Sequence, residues 1–318
     1  MFTEKLTLDE REIVPPYDFA YQLDHYVLYP ETRVDDVLVE VVRLGSGEIV
    51  KVEVRSLGTV EHPALELTVQ SARQLSKAEV REATDRVAWF LGLHEDLKPF
   101  YRLVKDDPVM QAAIAMHYGA KDKAGYSVFE AIVGCICAQN VIFKRLYAML
   151  RNLCQRFGDS VVLDGVAYHV FPTPEQLAAA PIEDIRACKV GYRDKYIKGI
   201  AEAVASGQVN LEHIAALPLE EARRELIKLP GVGPYTADLA LILALRRRDI
   251  LHLDLFVRQA LWTFYFDGRQ VPDEELRAFA AQRWPGYQAW AAGLLTTNTE
   301  VWARKLGVDF RLRSGARG

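Results

Sequence analysis

The chain has 318 residues, of which 50% are hydrophobic and 26% charged, a composition typical of a globular protein with two or three packed domains. A chain of this length buries about three quarters of its unfolded surface, which excludes the small scaffolds that depend on disulfides or metals. No apolar run approaches the roughly 20 residues that span a bilayer. The polar start MFTEKLTLDEREIVPPYD is unlike a signal peptide, so we expect a cytoplasmic protein.

The cysteines show no pattern typical of a metal site or a disulfide framework. The four of them include no C-x2-C pair and no second cluster that would complete a zinc or iron–sulfur set; they are Cys135, Cys137, Cys154 and Cys188. We therefore expect reduced thiols, and a protein that requires no metal and no cofactor.

Charge is distributed unevenly, although the net charge is only −4. Residues 1–100 contain 11 Lys and Arg against 19 Asp and Glu, whereas the remainder contains 28 against 24. The basic residues of the later part cluster at 131–158, 186–198 and 304–318. Each cluster alone is typical of a solvated helix face, but together they favour a polyanionic partner.

The first third of the chain has the pattern of strands, and the rest has the pattern of helices. β-Branched and aromatic runs at 26–29, 37–42, 49–54 and 65–69 predict a small antiparallel sheet. From residue 76 onwards, apolar residues recur three and four positions apart, which predicts helices. These lie at 76–91, 107–118, 126–139, 141–157, 174–179, 182–187, 193–206, 219–228, 234–246, 254–265, 272–283 and 286–300.

The fold class that follows is α+β, with an N-terminal antiparallel β-sheet domain and then a mainly α-helical body. We expect residues 1–110 to form the sheet domain with flanking helices, and residues 111–318 to form the helical domain with two lobes.

A glycine-rich turn separates two of the predicted helices. Leu229-Pro230-Gly231-Val232-Gly233 predicts a tight hairpin, because the glycines permit positive φ and close backbone approach and the following proline suits the first position of a helix. Such a turn offers amide groups at a helix N-terminus, where a phosphate can bind without sequence readout. A purely structural turn explains these residues equally well.

A single carboxylate follows the hairpin in an apolar setting. Asp254 stands within ILHLDLFV, after the basic triplet at 246–248. An aspartate at the start of a helix is ordinarily an N-cap. A carboxylate among apolar residues is also a candidate for catalysis.

The string LPGVGPYTAD…LHLDLFVRQAL resembles the helix-hairpin-helix and catalytic-aspartate signature of the HhH-GPD superfamily of DNA glycosylases. It is most similar to the alkylbase (3-methyladenine DNA glycosylase II) and oxoguanine types. PPYDF at 15–19, residues 129–158 and VGYRDKY at 190–196 extend the resemblance over nearly the whole chain. It implies a helix-hairpin-helix at 219–246 and a monomeric repair enzyme that acts on double-stranded DNA containing a damaged base, away from membranes.

The resemblance also implies roles for individual residues. The catalytic carboxylate is Asp254. The residues that occupy the gap left by an extruded base, or hydrogen-bond its former partner, are Asn140, Gln139, Tyr192 and Arg193. The contacts to the DNA backbone come from Gly231, Val232, Gly233, Lys144 and Lys195. A monovalent ion could bind at the hairpin residues Leu229 and Gly231.

The base pocket departs from two patterns of the family. Members that attack with a lysine carry it two residues after the second hairpin glycine, where this chain has Tyr235, so the resemblance implies hydrolysis without a lyase step. Oxoguanine types bring a glutamine and an aromatic from the last major helix, where the matching residues are Ala292 and Thr296. The residues expected to line the pocket are Tyr235, His25, Trp290 and Thr296.

Three functions remain open. Alkylated purines are the favoured substrates, because they already carry a good leaving group and need few specific contacts. Oxidised guanine is the alternative within the class. Outside the class, the alternative is a non-catalytic hairpin protein that binds damaged DNA.

Overall fold

The structure, a computed structural model, describes residues 1–24 and 32–311. It confirms the α+β class, since a five-stranded antiparallel sheet near the N-terminus precedes a mostly helical chain. The chain forms two compact units: Met1–Glu95 with Lys121–Leu245, and Asp96–Ala120 with Arg246–Gly318. The boundary expected after residue 110 falls within a helix, Pro108–Met116.

The sheet belongs to the first unit and has the strand order β1-β5-β4-β3-β2. Its strands are β1 (Phe2–Leu8), β2 (Thr32–Val34), β3 (Val37–Arg43), β4 (Ile49–Ser56) and β5 (Leu65–Ser71). The strands predicted at 37–42, 49–54 and 65–69 are confirmed. β1 was not predicted because it is an edge strand whose charged residues are exposed. The strand predicted at 26–29 lies outside the described residues.

The described helices are, in chain order, α1 (Phe19–Asp24), α2 (Lys77–Leu91), α3 (Lys98–Leu103), α4 (Pro108–Met116), α5 (Val128–Ala138), α6 (Phe143–Phe157), α7 (Pro174–Ala179), α8 (Ile182–Ile185), α9 (Asp194–Ala205), α10 (Leu211–Ala216), α11 (Leu219–Ile227), α12 (Pro234–Leu245), α13 (Leu255–Tyr265), α14 (Asp273–Arg283), α15 (Gln288–Thr296) and α16 (Thr299–Trp302). A short hairpin of β6 (Ser160–Leu163) and β7 (Val166–His169) follows α6. The helix predicted at 286–300 is two helices, because Asn298 adopts a left-handed φ of +50° between α15 and α16.

The first unit is organised around two helices that are apolar on nearly every face. α5 (VFEAIVGCICA) is almost entirely buried, and it packs against α12 (PYTADLALILAL). Helices that are hydrophobic all round are typical of a protein interior. This packing brings the end of α5 close to the start of α12, and the cysteines of this unit are buried with it.

The second unit is held together by a buried polar centre as well as by its apolar core. Asp107 caps α4 by accepting hydrogen bonds from the Val109 and Met110 amides, both at 3.1 Å. Its carboxylate also accepts hydrogen bonds from the Tyr265 hydroxyl at 3.1 Å and from Arg283 Nη2 at 3.0 Å. The segment 96–120 therefore packs with helices that come more than a hundred residues later. Within the described ranges, no helix has both the length and the apolar character that a bilayer crossing requires.

Candidate active site and nucleic-acid interface

The two glycines of the hairpin between α11 and α12 serve different purposes. Gly231 has φ +75°, and a Cβ there would lie 2.5 Å from the ring of Tyr196. At Gly233, a Cβ would meet nothing within 4 Å. The first glycine therefore lets the backbone pack onto an aromatic ring, whereas the second leaves an open surface where α12 begins. Amides of a first helical turn have no carbonyl partner in their own helix, so an anion can bind there.

The polar groups of the turn itself are partly engaged. The Val232 amide donates to the Leu229 carbonyl at 3.1 Å, and Val232 is buried. This bond does not fit the predicted contact of Val232 with a DNA backbone. The Gly231 carbonyl accepts Gln139 Nε2 at 3.0 Å. An ion at Leu229 and Gly231 would have to use the remaining lone pairs of these carbonyls.

The turn between α5 and α6 places two predicted gap-filling residues in different surroundings. Asn140 is exposed and has φ +51°, a conformation that asparagine tolerates. Gln139 is partly buried, and its Nε2 also donates to Thr236 Oγ1 at 3.2 Å. Asn140 therefore fits its predicted role, whereas the Gln139 side chain is held by the hairpin.

Tyr192 and Arg193 form a short 3₁₀ turn with opposite exposures. Tyr192 is 55% exposed, as a residue that enters DNA must be, but Arg193 is only 3% exposed. Arg193 Nε donates to the Ile136 carbonyl at 3.0 Å, and Nη1 to the Val190 carbonyl at 3.1 Å. Its Nη2 donates to the Gln139 carbonyl. This geometry does not fit the predicted contact with an unpaired base, because the guanidinium is buried and bound to backbone carbonyls.

Two lysines and two apolar residues are exposed beside these turns. Lys144 and Lys195 lie in the first turns of α6 and α9, and both are exposed, as predicted backbone contacts require. Ile142 and Phe143 are 73% and 51% exposed, which the sequence analysis did not anticipate. The signal was an apolar pair that follows a polar turn at the start of a basic helix.

Asp254 is the N-cap of α13 and remains partly exposed. Its Oδ1 accepts the Val257 amide at 2.7 Å, so the N-cap interpretation is confirmed. The next two residues, Leu255 and Phe256, are 40% and 45% exposed. The positive end of the helix dipole favours a negative charge at this position. The geometry therefore provides an oriented carboxylate at an apolar, accessible helix end.

The charge of Asp254 also acts on Arg258, which lies one turn into α13. Arg258 donates to both carboxylate oxygens of Asp273 at 2.7 Å. This hydrogen bonding is the largest cause that raises the pKa of Arg258, and the charge of Asp254 acts in the same direction. An arginine committed to Asp273 leaves the Asp254 carboxylate bound by an amide rather than by a guanidinium.

The predicted base-pocket residues are placed differently from one another. Tyr235 is 39% exposed at the start of α12, as a pocket wall requires. Trp290 is 4% exposed and belongs to the core of the second unit, with its ring stacked on Phe100 at 6.4 Å between centroids. Core packing does not fit its predicted role. Thr296 donates its hydroxyl back to the Ala292 carbonyl at 2.9 Å, and His25 lies outside the described residues.

The first unit also contains a cavity of about 1390 Å³ that none of the predicted site residues line. Glu130 of α5 faces it and is 8% exposed. Burial raises the pKa of Glu130 to about 8, against a hydrogen bond with the Tyr126 backbone that lowers it. Within residues 1–24 and 32–311, no three His, Cys, Asp or Glu side chains are grouped to hold a metal ion.

Comparisons with known proteins agree with this arrangement. Residues 133–286 match the model of the HhH-GPD superfamily base excision DNA repair protein. DNA-3-methyladenine glycosylase of Bacillus subtilis (strain 168) is 33% identical over 159 residues, which are 50% of this chain and 52% of that protein. The chain thus spans about half the length of this relative. A probable N-glycosylase/DNA lyase of Methanothermobacter thermautotrophicus is 24% identical over 250 residues, 73% of this chain and 78% of that one.

Among solved structures, the 3-methyladenine DNA-glycosylase from Archaeoglobus fulgidus superposes with a TM-score of 0.77 at 24% identity, covering 95% of this chain and 100% of that one. This similarity concerns the fold. The family match and the hairpin at 228–233 lead to one assignment. Residues 133–286 of this chain form a domain of the HhH-GPD superfamily of base excision DNA repair proteins.

Proposed function

We propose that this protein is a DNA glycosylase that extrudes a damaged purine from double-stranded DNA and hydrolyses its N-glycosidic bond. The observation that carries the proposal is a partly exposed carboxylate, Asp254, oriented at the start of α13 in a chain with an HhH-GPD domain. The proposal includes a monomer that works in the cytoplasm without a cofactor.

DNA would bind through its backbone first. The open surface at Gly233 and the exposed Lys144 and Lys195 supply neutral and positive phosphate contacts. Exposed Asn140 and Tyr192 would then enter the base stack when the damaged nucleotide leaves it. The inserted side chains replace part of the stacking that is lost. Extrusion also breaks the pairing of the base, so a base with weakened pairing is extruded most easily.

Asp254 would act on the sugar of the extruded nucleotide. As the bond between C1′ and the base nitrogen breaks, its electron pair leaves with the base and positive charge develops on the sugar. An oriented carboxylate stabilises this charge. A water oxygen then bonds to C1′, and Asp254 accepts the proton that the water releases.

The absence of a lysine at position 235 supports hydrolysis without strand cleavage. Tyr235 cannot form a Schiff base, and its exposed ring instead offers a face for an extruded base. The similar protein of Methanothermobacter thermautotrophicus is named a probable N-glycosylase/DNA lyase, so a lyase step is tested directly. Borohydride reduction of the enzyme on damaged DNA is expected to trap no covalent adduct, and a trapped adduct would contradict the hydrolytic proposal.

Alkylated purines are the substrates that we propose. Ala292 and Thr296 provide neither a glutamine nor an aromatic ring for oxidised guanine, and the Thr296 hydroxyl bonds to its own helix. The similarity to a protein named DNA-3-methyladenine glycosylase supports the same choice. Oxidised guanine is the alternative.

The test is base release from duplexes that each contain one methylpurine, 8-oxoguanine, hypoxanthine or uracil. We expect release of the methylpurine by the wild-type protein and none by Asp254→Asn, with DNA binding retained by both. Release of oxoguanine alone would identify the alternative substrate. Binding without release of any lesion would favour a non-catalytic DNA-binding protein. In such a protein, the only role of Asp254 would be to cap α13 through the Val257 amide.

A further inference from the structure

The unpredicted burial of Arg193 is one part of a closed ring of contacts in the first unit. This contact ring consists of Gln139, Arg193, Tyr192, Tyr196 and Gly231. It joins three segments that are far apart in sequence: the α5–α6 turn, the turn before α9 together with the first turn of α9, and the hairpin.

Arg193 makes the first connection. Its bonds to the Ile136 and Gln139 carbonyls tie the end of α5 to the turn before α9, and its bond to the Val190 carbonyl lies within that turn. Carbonyls at a helix C-terminus carry partial negative charge, so they compensate for the desolvation of a buried cation. A guanidinium has five donors in a rigid fork and can satisfy several carbonyls at once, which a lysine cannot do with the same geometry.

Two tyrosine side chains extend the contact ring to the hairpin. The Arg193 guanidinium lies 4.5 Å from the centre of the Tyr192 ring. Tyr192 packs edge-on against Tyr196, with ring centres 6.2 Å apart. Tyr196 in turn lies so close to Gly231 that a Cβ there would overlap its ring.

Gln139 closes the ring. Its Nε2 donates to the Gly231 carbonyl at 3.0 Å and to Thr236 Oγ1 at 3.2 Å. The backbone carbonyl of Gln139 accepts a hydrogen bond from Arg193 Nη2. The bond to Gly231 spans 92 residues of sequence. Each of the three segments is therefore fixed to both of the others.

The residues that project from these segments are the ones that the proposed function needs at the same place. Asn140 follows Gln139 directly and is exposed, Tyr192 is the exposed member of the ring, and Gly233 lies beside Gly231. A displacement of about 1 Å in a positioning element can reduce a rate about 10²-fold. Their mutual spacing thus depends on the side chains of Gln139 and Arg193, which are bound within the first unit.

We propose that Arg193 and Gln139 are positioning residues that hold Asn140, Tyr192 and the hairpin in register for insertion into DNA. This inference rests on the proposed function. It assigns Arg193 a role beneath the DNA-facing surface instead of a contact to the unpaired base.

The experiment compares Arg193→Lys and Gln139→Ala with the wild type. Arg156→Lys is the matched control, because Arg156 pairs with Asp184 at the surface of the same unit and belongs to none of the ring contacts described above. Three quantities are measured: affinity for undamaged duplex, fluorescence of 2-aminopurine next to a methylpurine, and single-turnover release of that methylpurine. The lesion is placed opposite thymine and, in a second duplex, opposite an abasic site.

We expect both ring variants to bind undamaged duplex with wild-type affinity but to show a smaller fluorescence increase on the paired lesion. Release from the paired duplex should fall about tenfold or more, whereas the loss should shrink to about twofold opposite the abasic site, where no base must be replaced. The control should match the wild type in all three measurements.

A merely structural role of the ring would lower release from both duplexes by the same factor, and that result would overturn the inference. So would wild-type fluorescence and release in both variants. If thermal unfolding shows that Arg193→Lys does not fold, Gln139→Ala alone decides. If the wild type releases no lesion, the proposed function fails. Comparison of the 2-aminopurine fluorescence increase between the two variants and the wild type then still tests whether the contact ring positions the inserted residues.

Discussion

Two aspartates of the same signature, Asp238 and Asp254, occupy contrasting environments in the two units. Asp238 lies within α12, is 1% exposed and accepts Arg223 Nε at 2.6 Å. Asp254 is partly exposed at the start of α13 and accepts a backbone amide. The contrast shows that the binding partner of a carboxylate, and not its place in a motif, decides whether it holds a hairpin together or remains accessible for chemistry.

The largest expected effect separates the chemical role of Asp254 from its capping role. Asparagine caps helices about as well as aspartate, so Asp254→Asn should change the free energy of unfolding by less than about 0.5 kcal/mol. It should nevertheless reduce single-turnover release of methylpurine about 10²- to 10³-fold, because the charge that stabilises the sugar is lost. Thermal unfolding and release kinetics on one preparation check both statements. A variant with full release would remove Asp254 from the reaction.

Asp238→Asn should show the opposite behaviour. Breaking a buried ion pair by neutralising one partner costs about 3–5 kcal/mol, and Arg223 would then face an amide. We expect urea denaturation to show this loss, while release per folded molecule stays near the wild-type value. A stable but inactive Asp238→Asn protein would show that the two aspartates share the chemistry, and the comparison would fail.

The hairpin glycines sharpen the comparison on the DNA-binding side. Gly231→Ala introduces a methyl group against the Tyr196 ring at a positive φ, and such overpacking costs about 1–3 kcal/mol. Gly233→Ala is the matched control, since its methyl group meets open space and should change stability by less than about 0.5 kcal/mol. If a phosphate binds beside Gly233, the control variant should still bind duplex DNA less tightly in fluorescence anisotropy. Unchanged affinity would place the phosphate contact elsewhere.

A pH-dependent effect is expected at Glu130, a buried carboxyl group whose pKa burial raises from 4.5 to about 8. The folded protein therefore keeps a proton that the unfolded chain releases as the pH rises past about 4.5. The stability due to this proton is fully present below that pH, and it is lost progressively as the pH rises towards 8. Glu130→Gln removes this dependence, so its melting temperature should gain on the wild type between pH 5 and 8. A constant difference in melting temperature between Glu130→Gln and the wild type across this pH range would show that the pKa of Glu130 is not raised.

The sequence alone determined the class of fold, the central strands β3 to β5, most of the long helices and the position of the hairpin. These features depend on local periodicity, on turn residues and on helix caps, which neighbouring residues encode. It also identified Asp254 and the exposed Asn140 and Tyr192 as candidates, because their neighbours in sequence carry the motif. The edge strand β1 was missed, since its charged, exposed pattern is weak.

Only the tertiary structure decided what the polar side chains bind and which segments belong together. The sequence predicts that Arg193 contacts an unpaired base, but its guanidinium is buried and bound to backbone carbonyls, including that of Ile136 in α5. It predicts that Trp290 lines the base pocket, but this ring packs on Phe100. The segment 96–120 joins the C-terminal helices through Asp107 and Arg283, which lie 176 residues apart. Contacts over such separations arise from the packing of whole helices, so no local pattern of residues can encode them.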